Sequence, residues 1–125
     1  MRKFLFFIAC SWTLIILIGC LISGENLQTV SVSILGYDKF LHALLYFGLV
    51  LVWLIYFNNA QKLSIKNSFF ILFGSLLYGI CIEFLQGTLT TDRTADFFDV
   101  LANTIGIVLG ALFFKFIKPL LNKSN

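Results

Sequence analysis

The chain has 125 residues, of which 59% are hydrophobic and only 12% charged, and its nine basic and six acidic side chains leave a formal charge of +3. That length allows one domain, residues 1–125, and so little charge, against roughly 25% in soluble domains, excludes water as the main solvent. The basic residues lie between apolar runs and never alternate with aromatics on a polar face, which excludes nucleic acid as the expected partner.

A helical membrane span needs about 20 mostly apolar residues, and residues 4–22, 40–57, 69–85 and 97–117 meet that requirement. The first run follows Arg2-Lys3 and contains Leu17-Ile18-Gly19-Cys20, which resembles a lipoprotein cleavage site behind a signal peptide. The run continues through Leu21-Ile22 and the rest of the chain is equally apolar, so the segment is read as a retained span, with cleavage before Cys20 as the rival. Cys10, Cys20 and Cys81 all fall inside apolar runs, where a thiol behaves as a small hydrophobe. The second span begins after Asp38-Lys39 and carries His42 about one turn in. The third carries Ser75, Gly79 and Glu83 at intervals of four, then Gln86; the fourth follows Arg93 and carries Asp96, Asp99, Asn103, Gly106 and Gly110. No strand-like alternation separates the runs, so the expected fold is all-α, an integral membrane four-helix bundle whose sequential helices are antiparallel.

Cytoplasmic segments of membrane proteins carry the excess of Lys and Arg. Arg2, Lys3, Lys62, Lys66, Lys115, Lys118 and Lys123 fall at the two ends and in the second connection, whereas Lys39, Arg93 and all six acidic residues lie toward the first and third connections. Both termini are therefore expected in the cytoplasm, with the chain crossing the cytoplasmic membrane several times.

Polar groups inside a membrane are costly and usually face the bundle interior. Asp38, Lys39, His42, Glu83, Gln86, Arg93, Asp96, Asp99 and Asn103 come from three helices but share one depth in the outer third of the membrane, which makes them the candidate ligand-binding residues. Residues three or four apart share a helix face, so Ser75, Gly79 and Glu83 form one stripe and Asp96, Asp99, Asn103, Gly106 and Gly110 another. Close packing of helices three and four along these stripes is expected, with Glu83 facing Asp99 or Asn103 and His42 closing the pocket. Plainer roles stand beside these: Asp96 and Asp38 as helix caps, Asp99 in a capping box, the glycines as packing residues, and Glu83 in a structural pair with Arg93. Two nearby carboxylates need a cation or a proton. Arg93, a protonated Glu83, a metal ion and a cationic ligand group all qualify, but no metal-ligand spacing is present and no cofactor or metal is expected.

Taken together, Asp38-Lys39 with His42, Glu83 with Gln86, and Arg93 followed by Asp96, Asp99, Asn103, Gly106 and Gly110 resemble the VanZ-like family of small bacterial membrane proteins over residues 37–112. The resemblance implies a cell-envelope setting, since the founding member is associated with resistance to the glycopeptide teicoplanin; it implies no defined reaction.

The leading expectation is a binding or modulating protein whose partner is a membrane lipid head group, a lipid-linked wall precursor or a glycopeptide, with Lys39 and Arg93 contacting phosphate. A homo-oligomer is a further expected partner. The alternative is an enzyme acting on a lipid head group, with Glu83 or Asp99 as general base and His42 as general acid or metal ligand. The binding reading is preferred and no catalytic residue is assigned. Asp96-Phe97-Phe98-Asp99 has a spacing seen in CDP-alcohol phosphotransferases, but the Gly, the Ala-Arg step and the second acidic pair of that motif are missing. A third alternative is an assembly role in which the polar cluster only fixes packing.

Overall fold

A computed structural model of the chain describes residues 1–22, 34–89 and 96–123. They form α1 (Arg2–Ile22), α2 (Ile34–Asn59), α3 (Ile65–Leu89) and α4 (Phe97–Lys123), and no strand occurs among them. Each helix is long and apolar enough to cross a membrane. The helices outrun the apolar runs because the backbone keeps its internal hydrogen bonds beyond the hydrocarbon, and α4 continues through Pro119. Large apolar side chains such as Phe7, Leu14, Phe70, Leu109 and Phe116 point outward, as a lipid solvent permits.

Local sequence sets the ends. After α2, Gln61 adopts a left-handed φ of 54°, the Lys62 N–H donates to the Phe57 carbonyl and the Gln61 N–H to the Asn58 carbonyl, closing the helix in a Schellman arrangement. Ser64 then caps α3 by accepting from the Asn67 N–H at 3.1 Å. Asp96 caps α4, its carboxylate accepting from the Phe98 N–H at 2.8 Å. Asp38 does not cap α2. That helix starts at Ile34, six residues before its apolar run, and so encloses Asp38.

Pairwise contacts define the register. Trp12 on α1 donates its indole N–H to the Leu45 carbonyl at 3.0 Å and lays its ring over Gly48, while Phe6 meets Tyr56, so α1 and α2 run antiparallel. Tyr78 donates to the Thr13 carbonyl and Gln86 to the Cys20 carbonyl, which sets α3 parallel to α1. On the remaining side, Lys39 meets Asp99, Ala43 meets Gly106 and Phe47 meets Gly110, so α4 runs parallel to α2.

One expected packing is corrected here. The Gly106-Gly110 stripe faces α2, not α3. A Cβ on Gly106 would overlap the Ala43 carbonyl oxygen, and one on Gly110 would lie 2.8 Å from the Phe47 carbonyl oxygen. Small residues four apart let two membrane helices bring their backbones together, and the α2 face around Ala43 has no bulk to prevent it. Gly79 of α3 instead receives Tyr46 and Asn103, and its expected stripe, Ser75, Gly79, Glu83 and Gln86, is buried.

Helix α1 belongs to the packed body. Ala9 and Ile16 are almost wholly buried, and Cys20 sits in the same core as Tyr46, Leu49, Val50 and Ile82. Cleavage before Cys20 would remove that packing.

Candidate functional site

The close contact of α2 with α4 brings two polar layers together at the end of the bundle remote from Met1. In the outer layer, Lys39 donates to Asp96 at 2.8 Å and to Asp99 at 3.0 Å. Lys39 and Asp96 are about one-third exposed, whereas Asp99 is buried. In the inner layer, His42 Nδ1 lies 3.1 Å from Asn103 Oδ1 and 3.8 Å from Glu83 Oε1. An amide oxygen can only accept, so this contact is a hydrogen bond when the ring proton is on Nδ1. Nε2 lies 3.9 Å from Asp38 Oδ1. His42, Glu83 and Asn103 are all buried, and Asn103 is only 1% exposed.

The geometry divides the sequence-derived set. Asp38, Lys39, His42, Glu83, Asp96, Asp99 and Asn103 converge from α2, α3 and α4. Among the described residues the cation that meets Asp99 is Lys39, one turn before His42, and its ammonium is engaged by two carboxylates. Gln86 uses its amide N–H to hold the Cys20 carbonyl of α1 at 2.7 Å, which gives it an anchoring role between helices. Arg93 lies outside the described residues.

Asp38, His42 and Asp99 bring one ligand atom each to within 4.8 Å of one another, so these residues could hold a divalent cation. An imidazole with two carboxylates suits zinc or manganese. Such an ion would compete with the Lys39 ammonium for Asp99. The spacing of Asp38 and His42, four apart on one helix, carried half of that signal; the contribution of Asp99 from another helix carried the rest.

Tyr46 was missed in the sequence. It lies one turn below His42, its ring is fully buried against Gly79, and its hydroxyl makes no hydrogen bond among the described residues. Asn103 Nδ2 is also without a partner there and touches Gly79 from the other side. The i, i+4 relation to His42 was the available cue.

A family model described as VanZ/LLP1 matches residues 2–118. The chain belongs to the VanZ-like family. The match takes in α1 as well as the motif-bearing helices. With its four membrane-length helices, the chain is a membrane protein of the VanZ-like family. No curated protein and no solved structure matches it.

The outer layer carries a pH signature. The Lys39 ammonium, and after it the Phe98 N–H, hold the Asp96 carboxyl below the usual carboxylate range. Folding lowers this pKa, so its stabilisation is fully present above the unfolded value of about 3.9 and is lost as pH falls through the folded value. The melting temperature of the detergent-solubilised protein is expected to fall as the pH drops below about 4, and Asp96→Asn should show a smaller fall. An identical acid-side decline in both proteins would refute this contribution.

Proposed function

We propose that this VanZ-like protein binds or modulates a component of the bacterial envelope through the polar cluster of α2, α3 and α4. The candidate components are a lipid-linked wall precursor, a lipid head group or a glycopeptide such as teicoplanin. One observation carries the proposal: His42, Glu83, Asp99 and Asn103 are all buried at one end of helices otherwise apolar enough to cross a bilayer. Ionisable groups kept at that cost mark sites by default, and three helices must cooperate to assemble this one. The Lys39, Asp96 and Asp99 group supplies both signs of charge at its rim, which suits a partner bearing phosphate or sugar beside an amine.

The cluster faces the outside of the cytoplasmic membrane in this proposal, with both termini inside, because the basic residues gather at the opposite end. In a background lacking the native cysteines, Thr90→Cys is expected to react with an impermeant thiol reagent added to intact cells. Asn59→Cys should react only after the cells are opened. The reverse pattern would invert the topology.

Catalysis on a lipid head group is the second reading, favoured by the convergence of Asp38, His42 and Asp99. There Asp99 or Glu83 takes a proton from the attacking group and His42 delivers one to the leaving group.

The deciding experiment is thermal unfolding of the purified protein with lipid-linked wall precursors, teicoplanin or divalent metals, compared with Glu83→Gln, Asp99→Asn and Arg93→Ala. A ligand-dependent rise in melting temperature, lost in variants that remain folded, supports a binding site and names the ligand class. Turnover of a bound head group would favour the enzyme. No shift in the wild type, with variants that are merely unstable, would leave the cluster as architecture.

A further inference from the structure

The end of the bundle that carries Met1 has the opposite electrostatic character to the polar cluster. Arg2, Lys3, Lys62, Lys66, Lys115 and Lys118 belong to it, whereas all six acidic residues fall within segments 25–38 and 83–99. Arg2 and Lys3 form no ion pair among the described residues. Together with Phe6, Phe7 and Tyr56 they line a depression of about 280 Å³.

A second depression, of about 260 Å³, lies deeper between α1, α2 and α3, against Thr13, Leu49, Trp53 and Gly74. Its polar groups are already engaged. The Thr13 hydroxyl donates to the Ala9 carbonyl and accepts from Trp53, Tyr78 donates to the Thr13 carbonyl, and Ser75 donates to the Ile71 carbonyl. What remains is an apolar lining, fit for a hydrocarbon chain and not for a polar ligand. Gly74 leaves open space there: a Cβ would meet no atom within 4 Å.

The two depressions adjoin. Trp53 lines the deeper one, and its ring packs 6.2 Å from Phe6 and 5.9 Å from Tyr56 of the shallower one. Leu49, Trp53 and Tyr56 share one face of α2 because they are spaced by four and three. From Lys3 to Thr13 the rise along α1 is about 15 Å, the hydrocarbon depth of one leaflet. The cationic groups of Arg2 and Lys3 therefore border an apolar depression that lies deeper along the same helices.

We infer that this surface is a binding site for an anionic diacyl phospholipid. Arg2 and Lys3 hold the phosphate, and one acyl chain runs past Phe6 and Trp53 toward Gly74. The site is at the opposite end of the bundle from the proposed envelope-ligand cluster and does not depend on it. Two cations without a nearby carboxylate favour a lipid of net negative charge over a zwitterionic one, because only the former lowers the net positive charge of the site.

The test is native mass spectrometry of the full-length protein released from neutral detergent and titrated with phosphatidylglycerol, phosphatidylcholine or glycerol 3-phosphate. One phosphatidylglycerol is expected to be retained, with phosphatidylcholine about tenfold weaker and glycerol 3-phosphate not retained. The Arg2→Gln/Lys3→Gln double variant should lose about tenfold or more for phosphatidylglycerol and little for phosphatidylcholine. Gly74→Leu, which fills the groove, should weaken phosphatidylglycerol while keeping the lipid-free melting temperature. Equal retention of the two lipids, or phosphatidylglycerol retention unchanged in both variants, would overturn the site. Retention of glycerol 3-phosphate as tight as the lipid would overturn the acyl-chain groove.

Discussion

Gly106→Ala is expected to destabilise the bundle by about 3 kcal/mol or more, beyond the usual cost of an overpacked core, whereas Gly74→Ala is neutral or stabilising by up to about 1 kcal/mol. Both positions are helical glycines, so intrinsic propensity favours alanine equally at the two. The difference is what the added methyl meets. At Gly106 it would overlap the Ala43 carbonyl oxygen, a backbone atom that cannot rotate away, and at Gly74 it meets open space. Gly110→Ala should be intermediate, since its methyl would lie 2.8 Å from the Phe47 carbonyl oxygen. Reversible unfolding in mixed detergent micelles, monitored by tryptophan fluorescence, measures all three. Matching stabilities for the alanine variants at 106 and 74 would mean that α2 and α4 are not in backbone contact. The same contact sets the register in which Lys39 meets Asp99 and His42 meets Asn103. Gly106→Ala should therefore also weaken any ligand held by the cluster.

The second large effect is at Lys39. Lys39→Met leaves the buried Asp99 carboxylate, 6% exposed, without its described cation. Breaking a buried pair costs about 3–5 kcal/mol, and the partial exposure of Lys39 and Asp96 lowers the expected loss to about 2–3 kcal/mol. Replacing the whole group by Lys39→Met, Asp96→Asn and Asp99→Asn should recover most of that loss. Neutral side chains need no counter-ion, and asparagine at position 96 still accepts the capping hydrogen bond from Phe98. Guanidinium-free chemical unfolding of the single and triple variants measures the recovery. A triple variant no more stable than Lys39→Met would show that the carboxylates are held by something other than Lys39. The triple variant also separates architecture from binding: if it is folded and still gives the full ligand-dependent thermal shift, this group lies outside the binding site.

The all-α class and the helix count were legible in the sequence because bilayer thickness converts an apolar run into a helix of fixed minimum length, and residues 1–125 contain four such runs. The polar residues were legible for a related reason. An ionisable group in an apolar run carries a cost that makes it conspicuous, and helical spacing assigned Ser75, Gly79, Glu83 and Gln86 to one buried stripe of α3. Helix partners were not legible. A glycine stripe shows that some helix approaches closely but not which one, and Gly106 and Gly110 had two candidate neighbours.

Sequence by itself therefore determined the solvent, the number of helices, and the set of side chains too polar to face lipid. Tertiary structure alone decided the pairing: α2 against α4, Lys39 on Asp99, His42 with Asn103, and Gln86 on α1. The physical reason is range. Apolar length and helical periodicity are local properties that a run of residues carries within itself, whereas the partner of a buried charge depends on which backbones can approach most closely. That choice was made by the match between a bare face at Gly106 and the small residue Ala43, more than sixty positions earlier in the chain.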